Sequence, residues 1–234
     1  MKLIIRNMIM LGIISAVFAF SFAPYSVSPK AQLQAITDQI DTELLTIEKK
    51  GNLDRVLSKR LIKEIAHFSN SCPLEKKIID SKGMTTYYSE EKGQLLLTLL
   101  NRKLDQSTYK KIFKMVTFQN AFLKDAKLKA INLKGIELSN AYLVGADLDN
   151  ANLEKGNLNK TNLSKATLRA VNLKSANLQE TILNGADLSD AILINAYLVG
   201  AKLGNNAKLD RVDFTKANLK EVDFSNTHPS FVKP

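Results

Sequence analysis

A leucine or phenylalanine returns every five residues from Phe118 to Leu203. After one extra residue the run resumes at Leu209, Phe214, Leu219 and Phe224. Two places before each stands a small or β-branched residue, as at Val116, Ala121, Ala126, Ile131, Gly156, Thr161 and Val171. A period of five fits neither the 3.6 of a helix nor the 2 of a strand. A helix would carry the leucines around all sides of its cylinder, and a plain strand would alternate them between faces. A backbone that bends once per five residues can hold them in one interior column. Four such units would close a square coil of 20 residues, stacked at the strand spacing of roughly 4.8 Å. The small residue two places earlier is needed where four walls converge on a narrow core. The 22 units from Phe118 to Phe224 then make a rod about 26 Å long.

Units such as Ala146-Asp147-Leu148-Asp149-Asn150, Ala151-Asn152-Leu153-Glu154-Lys155 and Ala186-Asp187-Leu188-Ser189-Asp190 share an A-(D/N)-L-x-x pattern. In this the run resembles the pentapeptide repeat family over roughly residues 116–225. The resemblance implies a right-handed quadrilateral β-helix. Residues 20 apart should stack, so Asn132, Asn152 and Asn172 form a column that continues as Ile192, and Phe122 stacks on Tyr142. The Asn column is expected to tie neighbouring coils together rather than to hold a ligand. Asn205-Asn206 mark the phase slip, read as a bulge at a corner, with a binding notch as the minority reading. The heptapeptide Asn140-Ala-Tyr-Leu-Val-Gly-Ala146 recurs unchanged as Asn195–Ala201, eleven units later. Eleven is not a multiple of four, so the two copies should lie on neighbouring sides.

The first 115 residues show none of this. Lys2 and Arg6 precede a charge-free stretch from Met8 to Ala23. Its length suits a signal peptide better than a full membrane span, with cleavage after Ala19 or Ala23. An uncleaved inner-membrane anchor is the alternative. Leu33, Ile36, Ile40, Leu44 and Ile47 make a helical stripe, broken at Gly51-Asn52. Leu53, Leu57, Leu61, Ile65 and Phe68 make a second, stopped at Ser71-Cys72-Pro73. A short element is expected over Glu75–Ile79, a turn at Ser81-Lys82-Gly83 and an extended piece from Met84 to Tyr88. Leu95, Leu96, Leu99 and Leu100 suggest another helix, and Tyr109, Ile112, Phe113 and Val116 lead into the repeat. The open end of the first coil must be covered, so these helices are expected to cap it.

Little in the chain carries chemistry. The two histidines, His67 and His228, have no spaced partners and cannot make a metal cluster. There is no glycine-rich phosphate loop. Cys72 is alone, which excludes an internal disulfide. It is expected to be buried against the helices, with an intermolecular disulfide or lipid attachment as the weaker reading, although no cysteine directly follows the apolar stretch as a lipoprotein needs. Asp147, Asp149, Asp187 and Asp190 occupy motif positions that favour Asp or Asn for corner geometry and solubility. No residue is nominated as catalytic, cofactor-binding or metal-ligating. Of the net charge of +10, residues 1–115 carry 18 Lys and Arg against 11 Asp and Glu, and the rest of the chain 15 against 12. The basic pairs Lys59-Arg60, Lys76-Lys77 and Lys110-Lys111 could touch anionic lipid or envelope polymer, although scattered solvation is the favoured reading. Some members of the family it resembles imitate duplex DNA and inhibit topoisomerases, a role resting on an acidic surface, whereas this repeat is mildly basic.

The expectation is therefore a mainly β chain. Residues 1–23 are a signal peptide or anchor, and 31–115 a helical domain that caps the solenoid. Residues 116–225 form the β-helix, and 226–234 are a tail. Its expected role is a non-enzymatic scaffold in the bacterial envelope, or after secretion. A protein partner is expected, weak contact with anionic membrane and a homodimer are open, and nucleic acid and cofactors are not expected. The alternatives are a topoisomerase-binding DNA mimic and a secreted effector acting on a host or neighbouring cell.

Overall fold

The computed structural model describes residues 27–49, 54–80, 82–227 and 232–233. The expected export segment, the Gly51-Asn52 break, Leu53, Ser81 and His228 lie outside them. Helix α1 is Pro29–Lys49 and α2 is Lys59–Ser71. Strands β1, Lys76–Ile79, and β2, Thr85–Tyr88, form an antiparallel hairpin. Helices α3, Glu90–Asn101, and α4, Gln106–Met115, follow. Strands β3, Val212–Asp213, and β4, Val232–Lys233, pair in parallel near the end of the chain.

The helices form where the apolar stripes lie. Ile36, Ile40 and Leu44 of α1 are buried, as are Leu61, Ile65 and Phe68 of α2. Each later helix starts at a side-chain cap that satisfies otherwise unpaired backbone N–H groups. Ser58 accepts from Leu61 N at 3.2 Å, Ser89 from Lys92 N at 3.3 Å, and Asp105 from Ser107 N and Thr108 N at 2.8 and 3.1 Å. Leu57 is buried ahead of α2 rather than within it. The stretch from Lys76 to Tyr88 forms a hairpin, so this part of the chain is not purely helical.

From Phe118 on, the units repeat one local pattern. In nearly all of them the residue three after the central Leu or Phe donates its N–H back to that residue's carbonyl, as Ala126 does to Leu123 at 3.2 Å and Ala151 to Leu148 at 2.9 Å. The turn places its third residue at positive φ, including non-glycines such as Lys155 at 59° and Ala170 at 51°. The residue before each Leu makes a single parallel bridge to its counterpart 20 residues on, as in Lys127↔Asp147↔Thr167↔Asp187. Leu123 to Leu209 are buried at each central position, and most of the small residues two places earlier are buried with them. Small residues are required because their backbone lies against the interior: a Cβ on Gly156 would sit 3.0 Å from Leu153 O.

The mainly β quadrilateral β-helix is not what the regular structure amounts to. Among the described residues, four helices of 21, 13, 12 and 10 residues stand against strands of only 4, 4, 2 and 2. The sheets among the described residues are two-stranded, and neither closes or curls into a solenoid. The cause is local. A unit of five residues commits most of its length to the turn, which leaves one residue free to bridge, and one residue is too short to make a strand. The repeat is a stack of turns joined by isolated bridges.

Candidate interaction surface

The sides of the stack are built by the residue before each Leu and by the two turn residues after it. Asp and Asn recur before Leu because their side-chain oxygen caps the following turn. Asn152 accepts from Glu154 N at 3.1 Å, Asp147 from Asp149 N at 3.2 Å and Asp187 from Ser189 N at 3.1 Å. The same atoms also tie tiers together. Asn172 donates to Asn152 Oδ1 at 3.2 Å, so the expected Asn column is present there. Asn132, however, donates to Gln106 Oε1 of α4 at 2.7 Å and so fastens the stack to a helix.

The four aspartates singled out in the sequence do not converge. Asp149 is nearly buried and accepts from Arg169 N at 3.0 Å and Arg169 Nε at 2.9 Å. The Arg169 guanidinium holds its carboxyl below the usual range. Asp147 accepts from Thr167 Oγ1, and Asp190 pairs with Arg211 at 2.6 Å. Asp187 lies 3.5 Å from Lys208 Nζ, and its pKa is lowered: desolvation pushes it up, but bonds from Ser189 and the charge of Lys208 outweigh that. Each carboxylate serves a turn or an ion pair across tiers. Among the described residues, no group of three or more His, Cys, Asp or Glu could hold a metal. His67 is exposed on α2.

At the slip, Asn205 and Asn206 both take positive φ, 53° and 66°, and donate to Ser225 O and Asn226 O at 3.1 and 3.0 Å. The bridge spacing becomes 21 beyond it, as in Asp187↔Lys208 and Ile192↔Asp213. The insertion is absorbed as a bulge at a corner.

The start of the stack is covered. Ser89 bridges Ala121, with Phe122 N donating to Ser89 O at 2.9 Å and Ser89 N to Asn120 O at 2.8 Å. Phe122 and Tyr142 stack with ring centroids 5.4 Å apart, and Tyr88 of β2 lies 5.1 Å from Tyr142. Lys76 sits over the Phe122 ring at 5.0 Å and pairs with Glu90 at 2.8 Å. Phe113 of α4 meets Phe118 edge-on. Cys72 is buried beneath this junction, and desolvation pushes its thiol up to about 12. Lys92 is also buried here, and desolvation lowers its pKa.

Sequence reasoning placed Ile192 after the Asn column but passed over Tyr197 and the exposure of both. Ile192 follows Asn132, Asn152 and Asn172, and Tyr197 follows Asn157 and Asn177, so two polar columns turn apolar in one tier. Ile192 is 39% exposed and Tyr197 55%. Tyr197 belongs to the second copy of the duplicated heptapeptide, while its counterpart Tyr142 is held in the aromatic junction. The signal was the interruption of the columns, legible only once the 20-residue register is applied.

A repeat protein with a leucine interior and polar, laterally paired sides is the class these features define. The description "Pentapeptide repeats" matches residues 131–169, 172–205 and 205–228 in 8 copies, so a pentapeptide-repeat domain spans about 131–228, and the residues before it match no family model. Among solved structures the chain is similar to the pentapeptide repeat protein Rfr23 from the cyanobacterium Cyanothece 51142, at 36% identity and a TM-score of 0.30 over 46% of this chain and 66% of that one. It is similar to QnrB1, a plasmid-mediated fluoroquinolone resistance protein, at 21% identity and a TM-score of 0.35 over 48% of this chain and 62% of that one. It is also similar to HetL of Nostoc sp. strain PCC 7120, involved in heterocyst differentiation regulation, at 26% identity and a TM-score of 0.28 over 51% and 74%. The chain spans less than two thirds of the length of Rfr23 and QnrB1. No curated protein matches it.

Proposed function

We propose that this chain is an exported scaffold of the bacterial envelope that docks a protein partner on the side of its repeat stack. The observation that carries the reading is the tier where the asparagine columns give way to Ile192 and Tyr197. An asparagine there would continue the column and keep the side wet. Exposed isoleucine and tyrosine instead leave apolar area that a protein can cover, and tyrosine is a frequent anchor of such contacts. Export rests on Lys2, Arg6 and the apolar run from Met8 to Ala23.

The test has two arms. Cells are fractionated into cytoplasm, periplasm, membrane and medium, and a photo-crosslinking residue is placed at Tyr197 or, as a control, at Lys129. Protein found in the periplasm, membrane or medium and crosslinked to one defined partner from Tyr197 alone supports the scaffold. Equal crosslinking from both positions, or none, refutes the docking side.

The second reading is a topoisomerase-binding DNA mimic. It needs a cytoplasmic chain and a continuous acidic stripe. Lys127, Lys129, Lys134, Arg169, Lys208 and Arg211 interrupt the columns that hold Asp147, Asp149, Glu154, Asp187 and Asp190. Full-length protein in the cytoplasm that inhibits gyrase would establish it in place of the first.

A further inference from the structure

The hairpin of β1 and β2 is fixed on one face and free on the other. Its register pairs Lys76 with Tyr88 and Ile78 with Thr86 on one face, and Lys77 with Tyr87 and Ile79 with Thr85 on the other. The first face is seated on the stack through Tyr88, Phe122, Tyr142 and Lys76. The second points away, with Ile79 58% and Tyr87 48% exposed, and Met84 at the tip 67% exposed. Three large apolar side chains thus project from a platform that cannot turn to hide them. Exposed lysines, Lys77 and Lys82, flank them. The acidic groups nearby are partly committed. Asp80 Oδ1 accepts from Lys82 N and Met84 N at 2.9 and 2.8 Å and holds the turn, and Glu90 pairs with Lys76, while Glu75 lies exposed at the base of β1.

We propose that this hairpin is a membrane-contact element that lays Ile79, Met84 and Tyr87 into the interface of an anionic lipid bilayer, with Lys77 and Lys82 on its headgroups. Apolar side chains enter the acyl boundary, a tyrosine ring suits the headgroup level, and lysine stems follow the apolar surface while their ammonium groups stay at the phosphates. From Glu75 to Glu91 three lysines stand against four carboxylates, so the attraction to anionic headgroups rests on where the exposed Lys77 and Lys82 stand beside Ile79, Met84 and Tyr87 and not on a net charge. Seated this way, the hairpin would orient the whole stack on the membrane, because Ser89 at the end of β2 is bridged to Ala121 of the first tier. The inference deepens the envelope reading and rests on it for the biological setting.

The test uses the full chain with Met84→Cys carrying a bimane fluorophore, and Lys155→Cys as the control. Cys72 is buried with its thiol pushed up to about 12, so labelling at neutral pH is confined to the introduced site. The probes are mixed with phosphatidylglycerol–phosphatidylcholine vesicles containing brominated lipid. Quenching at position 84 but not at 155 is expected, weaker in pure phosphatidylcholine. Since each lysine near an anionic surface is worth roughly fivefold in partitioning, Lys77→Gln with Lys82→Gln should raise the lipid needed for half-maximal quenching about 30-fold. Vesicle sedimentation without quenching at 84 would mean attachment through another segment and overturn the proposal. So would quenching that ignores lipid charge and both lysine substitutions, or quenching that appears only with added protein extract. Cytoplasmic protein in the fractionation would refute the envelope reading while leaving this outcome intact, so the two fail separately.

Discussion

Replacing Gly93 by alanine reverses the usual sign of a helix substitution. Inside a helix, Gly→Ala ordinarily stabilises by about 1 kcal/mol through backbone entropy. Gly93 lies within α3 against the first tier, and a Cβ there would stand 2.1 Å from Phe122 O and 3.0 Å from Phe122 C. The helix and that carbonyl must part by about 1 Å to reach van der Waals contact. Neither wall yields freely. Phe122 N donates to Ser89 O at 2.9 Å, Leu123 N to Tyr142 O at 2.8 Å, and Ser89 is also the cap of α3. Overpacking of this kind costs about 1–3 kcal/mol, and a displaced hydrogen bond about 1 kcal/mol more. Subtracting the helical gain leaves a net loss of about 1–3 kcal/mol. For a chain of this size that lowers the melting temperature by roughly 2–4 °C per kcal/mol. Thermal unfolding followed by circular dichroism at 222 nm reads it directly. A Gly93→Ala protein melting at or above the parent temperature would refute the close approach of α3 to Phe122.

Leu153→Asp should cost at least about 4 kcal/mol by placing a carboxylate in the leucine column, whereas Lys155→Ala on the exposed turn should change stability by less than about 0.5 kcal/mol; equal melting temperatures would sink the interior position of Leu153. Asp149→Asn should destabilise at neutral pH. The folded Asp149 pKa is depressed by Arg169, so its contribution is present above the unfolded value near 3.8 and fades as pH falls through the folded one; a melting difference that does not shrink in acid would contradict the pairing. The Cys72 thiol should resist a disulfide reagent at pH 8 until the protein is unfolded in guanidinium. Because its folded pKa is raised, the stability tied to the neutral thiol is intact below the unfolded value near 9 and lost as pH rises toward about 12; fast labelling of the native protein would refute its burial.

Much of the stack was legible because its interactions are local. Leu123 to Leu209 fall on the buried positions their spacing assigned, and the pairing of residues 20 apart follows from units of constant length. The helical stripes of α1 and α2 were readable for the same reason, since Ile36, Ile40, Leu61 and Ile65 recur at helical spacing. The β class was misjudged because periodicity reports which residues turn inward, not how many consecutive residues pair. One bridging residue per unit satisfies the same pattern as a strand would.

The candidate surface was less visible. Ile192 and Tyr197 look ordinary in the linear chain, and their exposure acquires meaning only against the asparagines beneath them. The hairpin was read as a short element and an extended piece, because alternation over four residues is too brief to separate an inward face from an outward one. The duplicated heptapeptides show the same limit. Identical residues place Tyr142 in an aromatic junction and leave Tyr197 exposed, since the neighbours differ.

The amino-acid sequence by itself determined the repeating turn, the leucine interior and the register of the stack, because each unit contacts mainly its own turn and the units above and below it. Only the tertiary structure decided how the first tier is covered, why position 93 must be glycine, and which apolar side chains stay outside. Those depend on Ser89 meeting Ala121 and on Tyr88 meeting Tyr142, contacts between segments of unrelated pattern whose distance no period encodes.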